Sequence, residues 1–179
     1  MGSARMSRFL PLQVAAVCYR RRGDSFEFLL DNTTGGDKWT FPKGATERRL
    51  SHSQAAEREA LEEAGAVGVV EPRHFHLYLH PKGVFRQRNG VQEFVVKAFL
   101  LEVTRTQPPH ESMRNPTWFS VEDARRAVAK GREAKYAAEL CTVIDRAVVH
   151  LSAEGTMVPA RTHRTWRSLL RALTFGLVR

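Results

Sequence analysis

The sequence predicts an α/β fold, a mixed β-sheet with helices packed on it, in one domain. Three observations carry this. Apolar segments of strand character fall early and in the middle of the chain, and segments with helical spacing carry capping residues at their starts. The length of 179 residues, at 42% hydrophobic and 26% charged, suits one domain with a proper core.

The first strand expected is Val14 to Tyr19, small and apolar enough to be buried on both faces. Arg20 to Asp24 is a polar turn, and Phe26 to Leu30 returns as a second strand with Phe26, Phe28 and Leu30 on one side, giving a hairpin. Asp31 to Lys38 reads as a Gly- and Thr-rich loop leading to Trp39-Thr40-Phe41-Pro42-Lys43-Gly44, where Pro42 excludes a helix and biases Phe41 towards extended backbone. A helix begins near Ser51, which with Gln54 has capping-box spacing, and Gly65 stops it. Two long extended segments follow, Arg73 to His80 and Val91 to Val103. In the first, Phe75, Leu77 and Leu79 alternate with His74, His76, Tyr78 and His80, which predicts an apolar inner face and a polar aromatic outer one. Gln107 to Pro116 is irregular, and Trp118-Phe119 begins a short extended piece. Ser120, with Asp123 three residues on, opens a second helix ending near Gly131. A third covers roughly 133–151, with Ala137, Leu140, Cys141, Ile144, Ala147, Val148 and Leu151 at helical spacing.

The domain is expected to span residues 1–152, leaving 153–179 as a basic amphipathic tail. Arg161, Arg164, Arg167, Arg171 and Arg179 meet no acid there, while Trp166, Leu169, Leu170, Leu173 and Leu177 fall on one helical face. The net charge of +9 and pI near 10.2 favour polyanionic partners: phosphorylated metabolites, nucleic acid or anionic lipid. Cys18 and Cys141 lie far apart in apolar stretches, as buried free thiols do in a reducing compartment. No apolar run reaches the roughly 20 residues that span a bilayer, and residues 1–8 carry no secretory pattern. The cytoplasm is the expected location. The oligomeric state is left open.

The chemistry concentrates between Gly44 and Ala66. On a helix Glu59 and Glu63 are i and i+4, so their carboxylates share a face with Glu62 beside them. Periodicity alone leaves two readings open. One is a solvated acidic face with Arg58 paired to Glu62. The other is a grip on a hard divalent cation, since Mg²⁺ prefers carboxylate oxygens and keeps several waters, one of which can be directed at phosphorus.

The run from Gly44 through Arg58-Glu59-Ala60-Leu61-Glu62-Glu63-Ala64-Gly65-Ala66 resembles the signature of the Nudix hydrolase family, with the spacing kept throughout. Supporting resemblance extends over about Leu12 to Leu151. It implies a Nudix-type α/β/α sandwich around a mixed β-sheet and a pyrophosphohydrolase acting on acid anhydrides. It implies Mg²⁺, with Mn²⁺ as a substitute, held by Glu59, Glu63 and the carbonyl of Gly44. Glu62 would be a further ligand or help activate water, and Arg58 would orient the glutamates. An acid from the loop before Trp118-Phe119 serves as ligand or base in several relatives; Glu111 is the candidate here, and Glu93 a weaker rival. One departure stands out: Leu50 occupies the position where the family has a glutamate that partners the arginine, so Arg58 must find Glu47, Glu62 or solvent.

Trp39 to Gly44 is similar to the corresponding segment in members acting on diadenosine polyphosphates and diphosphoinositol polyphosphates. Lys38, Lys43, Arg48 and Arg49 would surround a highly anionic ligand, with Lys82, Arg86 and Arg88 closing from the loop between the long strands and Arg132 and Lys135 adding to the same side. His74, His76 and His80 read as lining a strand face in preference to a second metal site. The expected function is therefore hydrolysis of a phosphoanhydride bond in a polyphosphorylated small molecule. One alternative is a broader nucleoside-diphosphate-linked hydrolase, including ADP-ribose cleavage or nucleotide clean-up. The other is a non-catalytic module of the same fold binding polyanions or RNA, which is less favoured.

Overall fold

The computed structural model describes residues 10–33, 35, 38–82 and 92–156. Two long strands form the middle of its sheet. β1 (Leu12–Arg22) and β7 (Gln92–Thr106) run parallel, in register from Leu12 opposite Val95 to Tyr19 opposite Glu102. The remaining strands are antiparallel to their neighbours. β2 (Ser25–Asn32) returns beside β1 through Gly23 at φ 58°, and carries β3 (Trp39–Thr40) and β8 (Thr117–Ser120). β4 (Lys43–Ala45) lies on the start of β1, while β5 (Ala66–Val70) and β6 (His76–Lys82) line the two halves of β7.

Alternation along the central strands supplies two cores, as a sheet covered on both faces requires. Ala15, Val17 and Tyr19 of β1 join Phe28, Leu30, Val96, Ala98 and Leu100 beneath α2 (Val121–Ala129) and α3 (Ala134–Thr156). Val14, Ala16 and Cys18 join Leu29, Phe99 and Leu101 beneath α1 (His52–Ala64). The result is an α/β/α sandwich around a mixed sheet. α1 meets its core through Ala55, Ala56, Ala60 and Ala64. A face of alanines seats the helix close to the sheet, and the end of α1 comes within hydrogen-bond reach of β4.

The caps follow the sequence. Ser51 and Gln54 form the capping box of α1, and Gly65 closes it in the left-handed region at φ 61°. Ser120 accepts from the Asp123 N–H at 3.2 Å to open α2. Other expectations need correction. Ala66–Val70, not anticipated as a strand, pairs with β7, and Asp31 lies within β2, paired with Thr40, instead of starting a loop. The segment expected to be extended from Arg73 becomes strand only at His76, and its faces are inverted. Tyr78 is buried at 2% exposure while Leu77 is 47% exposed, because the even-numbered residues of β6 lie opposite Val96 and Ala98, on the side covered by α3. α3 runs past the expected helix end near Leu151 and reaches Thr156. The tail beyond 156 lies outside the described residues. Among the described residues no helix is long and apolar enough to cross a membrane.

The inverted face gives a direct test. Tyr78→Ala should cost about 3–5 kcal/mol, as large aromatic truncations in cores do, and Leu77→Ala about 0.5 kcal/mol or less. Urea unfolding of the two variants checks this, and the opposite ranking would restore the face read from the sequence.

Candidate active site

The acids of α1 meet β4 and the 107–116 segment at one end of the sheet. Glu63 is the enclosed one, at 4% exposure. Its Oε2 accepts the Lys43 backbone N–H at 2.8 Å, and its Oε1 accepts from the Arg114 guanidinium. Arg58 bridges Glu47 Oε1 at 2.6 Å and Glu62 Oε1 at 2.8 Å, so both acids that the sequence offered as substitutes at Leu50 are used. Leu50 itself packs against the α1 core.

Glu59 is placed differently. It makes no ion pair among the described residues, and its carboxylate lies on the Cα of Gly44: a Cβ there would sit 2.0 Å from Glu59 Oε1. Burial first, then the charges of Glu63 and Glu62, push the Glu59 carboxyl up to about 7. Glycine at 44 is thus required by close approach.

Behind these lies a buried polar group that the sequence reading missed. Asp31 is fully buried; among the described residues no donor reaches its carboxyl oxygens, and its carboxyl lies within hydrogen-bond reach of Glu63, to which it can donate only when protonated. Burial and the adjacent Glu63 raise it to about 8. Its strand partner Thr40 accepts from Lys43 Nζ at 3.0 Å, and the next residue, Asn32, offers its carbonyl to Arg114 at 3.2 Å. Burial holds the Lys43 ammonium below its usual range. One signal for Asp31 was available: it follows Leu29 at strand spacing, on the face opposite Phe28 and Leu30. For Arg114 only the turn was legible, from Asn115-Pro116; Asn115 is left-handed at φ 49°.

The remaining sequence-derived residues divide. Glu111 is at the site: its N–H donates to the Glu62 carbonyl at 3.1 Å, and its Oε2 accepts from Arg114 Nε at 2.6 Å. Lys38 borders the turn between α2 and α3, where a Cβ on Gly131 would lie 3.9 Å from its Cε. Arg48 is exposed and outside the acid cluster's hydrogen bonds. Lys135 is committed to Glu93 at 2.6 Å, and Glu93 also accepts from the Tyr136 hydroxyl at 2.8 Å. Arg86, Arg88 and the side chain of Lys82 lie outside the described residues.

Among the described residues no three acidic, histidine or cysteine side chains are gathered as a ready-made cage. The candidate ligands at this end are nevertheless all oxygens: the carboxyls of Glu59, Glu62, Glu63, Glu111 and Asp31, with the Gly44 backbone against Glu59. Such a set suits a hard cation, Mg²⁺ or Mn²⁺, and not a softer one. Glu59, raised first by burial and then by its acidic neighbours, and without an ion-pair partner among the described residues, is a place where added positive charge would be favourable.

Two tests follow from this geometry. Gly44→Ala should leave unfolding free energy within about 1 kcal/mol, because the clash falls on the end of a flexible side chain, yet it must displace the Glu59 carboxylate. The pH test uses Glu59, whose carboxyl rises from 4.5 to about 7 on folding. The folded protein then holds a proton that the unfolded chain has lost, so this group makes stability fall as pH rises from 4.5 through about 7. Glu59→Gln should lessen that fall, measured by urea unfolding across pH with EDTA present; identical slopes would contradict the enclosure of Glu59.

Comparison with known proteins agrees with this architecture. The family profile described as "NUDIX domain" matches residues 10–140. "Nudix hydrolase 18, mitochondrial" of Arabidopsis thaliana is 34% identical over 106 residues, which are 58% of this chain and 57% of that protein. "Diphosphoinositol polyphosphate phosphohydrolase 3-alpha" of Mus musculus is 29% identical over 116 residues, 63% of this chain and 65% of that one. The chain thus spans somewhat over half the length of these curated relatives. Among solved structures, Ap4A hydrolase of C. elegans superposes with a TM-score of 0.57 at 21% identity, covering 80% of this chain and 99% of that one. The NUDIX domain of Shewanella oneidensis NrtR, solved with ADP ribose, gives 0.56 at 16% identity, covering 81% and 90%. At these identities the structural likeness is one of fold. The profile covers most of the chain and includes the whole of α1 with Gly44, and on that ground the protein belongs to the Nudix family.

Proposed function

We propose that this chain hydrolyses a phosphoanhydride bond in a polyphosphorylated small molecule, with Mg²⁺ as the resident ion and Mn²⁺ as a substitute. The observation that carries the reading is Glu59, a half-buried carboxylate seated on Gly44 without an ion-pair partner among the described residues, one helical turn from buried Glu63. Glu59, Glu63 and the Gly44 carbonyl would hold the ion, with Glu62 as a further ligand. Bound there, the ion would supply Lewis acidity, offsetting phosphate charge and lowering the pKa of its water.

The protein's own groups do the rest. Glu62 and Glu111 are the candidates to take the proton as a water oxygen attacks phosphorus. The bond from that phosphorus to the bridging oxygen breaks, and two phosphorylated products leave. Arg58 keeps Glu62 oriented through a charge-assisted hydrogen bond. Lys38, Lys43, Arg48, Lys82, Arg86, Arg88 and Lys135 remain the proposed cations for the anionic chain of the substrate. Two of them have internal partners that a substrate must compete with: Thr40 for Lys43 and Glu93 for Lys135. The names of the mouse relative and the nematode structure, a diphosphoinositol polyphosphate phosphohydrolase and an Ap4A hydrolase, support a highly phosphorylated small molecule as the substrate class. The cytoplasm is the proposed location, supported by two cysteines that stay free, although the plant relatives carry a mitochondrial label.

Phosphate release from diadenosine tetraphosphate, a diphosphoinositol phosphate, ADP-ribose and nucleoside triphosphates, with Mg²⁺ and with EDTA, tests this. Turnover should require the metal and favour diadenosine tetraphosphate or the diphosphoinositol phosphate over ADP-ribose and nucleoside triphosphates. Glu59→Gln and Glu63→Gln should each lower kcat by about a hundredfold or more. Preference for ADP-ribose would replace the substrate class with the broader nucleoside-diphosphate-linked one. Equal rates in wild type and Glu63→Gln would leave only a polyanion-binding module, whose RNA affinity should then fall steeply with salt.

A further inference from the structure

Arg114 lies in the single helical turn Ser112–Arg114, yet its side chain is only 12% exposed. Three acceptors account for that. The guanidinium donates to Glu63 Oε1, to Glu111 Oε2 at 2.6 Å and to the Asn32 carbonyl at 3.2 Å. The backbone delivers it there. Gln107 N–H binds the Gly65 carbonyl at 2.8 Å and Glu111 N–H the Glu62 carbonyl at 3.1 Å, tying the 107–116 segment to the end of α1. Arg114 N–H then closes on the Glu111 carbonyl at 3.1 Å, and left-handed Asn115 turns the chain away.

With Oε2 taken by the Lys43 N–H, the guanidinium on Oε1 completes the pairing of Glu63. The other two box glutamates differ: Glu62 is paired with Arg58 at the surface, and Glu59 has no ion pair among the described residues. A divalent cation held by Glu59 and Glu63 would therefore find one carboxylate ready and the other occupied by positive charge. A guanidinium and such an ion repel each other strongly in an enclosed place, so they do not share one carboxylate oxygen at little cost.

We propose that Arg114 is an internal counter-ion for Glu63 that competes with the divalent cation, so that ion binding and release of the Arg114 grip are one coupled event. The proposal rests on Glu63 being an ion ligand, as argued above. Because the same guanidinium holds Glu111, the arrival of the ion also loosens the acid of the 107–116 segment. The cluster therefore stays charge-compensated with or without the ion. Affinity for the ion is lowered by the fraction of molecules in which Arg114 occupies Glu63.

A buttressing role makes the opposite prediction. If Arg114 merely held Glu63 in place, its loss would weaken ion binding or leave it unchanged. Competition predicts tighter binding. The test is Mn²⁺ binding to the full chain, by isothermal titration and by the electron paramagnetic resonance of free Mn²⁺. Wild type, Arg114→Gln and Arg114→Lys are compared, with Glu59→Gln as the control that binds less. Arg114→Gln should lower the Kd about tenfold or more, and saturating Mn²⁺ should raise its Tm by more than that of wild type. Arg114→Lys, which keeps the charge but not the planar fork, should fall between them, and it carries the test if the glutamine variant does not fold. A folded Arg114→Gln that binds Mn²⁺ no tighter than wild type overturns the competition, as does a lysine variant indistinguishable from wild type. If wild type itself binds no Mn²⁺, the ion-ligand reading of α1 falls and takes this inference with it.

Discussion

The close seating of α1 on the sheet governs the rest of the site. Its inward face is built of Ala55, Ala56, Ala60 and Ala64, so the helix axis is not held off by long side chains. That proximity lets Glu63 accept the Lys43 N–H of β4, and lets Glu59 occupy the space that a side chain at residue 44 would need. A leucine at any of the four alanines would add volume to a packed layer and lift the carboxylates from the strand. Small residues here are a positional requirement of the chemistry as much as a packing choice.

Within one turn of helix, three glutamates acquire three different environments. Glu62 is partly exposed and paired with an arginine, Glu63 is enclosed between an arginine and a backbone amide, and Glu59 is half-enclosed without an ion-pair partner among the described residues. Identical side chains thereby differ in exposure and in partners, the condition under which neighbouring carboxylates can take separate roles. Asp31 adds a fourth acid from the sheet side. It lies buried beside Lys43 and Arg114, and its burial and the neighbouring Glu63 keep it largely protonated near neutral pH.

What the sequence disclosed and what it hid divide along a physical line. Local rules were legible: the capping box at Ser51 and Gln54, the Gly65 stop, the two-sided burial of β1 and the i, i+4 stack of Glu59 and Glu63. Each depends on residues a few positions apart. The resemblance carried the sandwich as well, because its spaced glycine, arginine and glutamates are tied to one architecture. Hidden were the consequences of contact between distant segments. Alternation along β6 was visible, but which side α3 would cover was not, and Tyr78 went inward. Asp31 looked like the start of a polar loop because nothing nearby announces that β3 will pair with it. Arg114 was one cation among 28 until the 107–116 segment folded onto the end of α1.

The leucine at position 50 reaches further than the core it fills. With no acid there, Arg58 leans on Glu47 and Glu62 in a bridge whose members are 47%, 41% and 31% exposed. Exposed pairs of this kind are screened by dissolved ions, whereas the enclosed Arg114–Glu63 pair is largely shielded from them. The outer restraint on the helix acids is thereby tied to ionic strength and the inner one is not. The surroundings can slacken Glu62 while leaving the deeper grip on Glu63 in place.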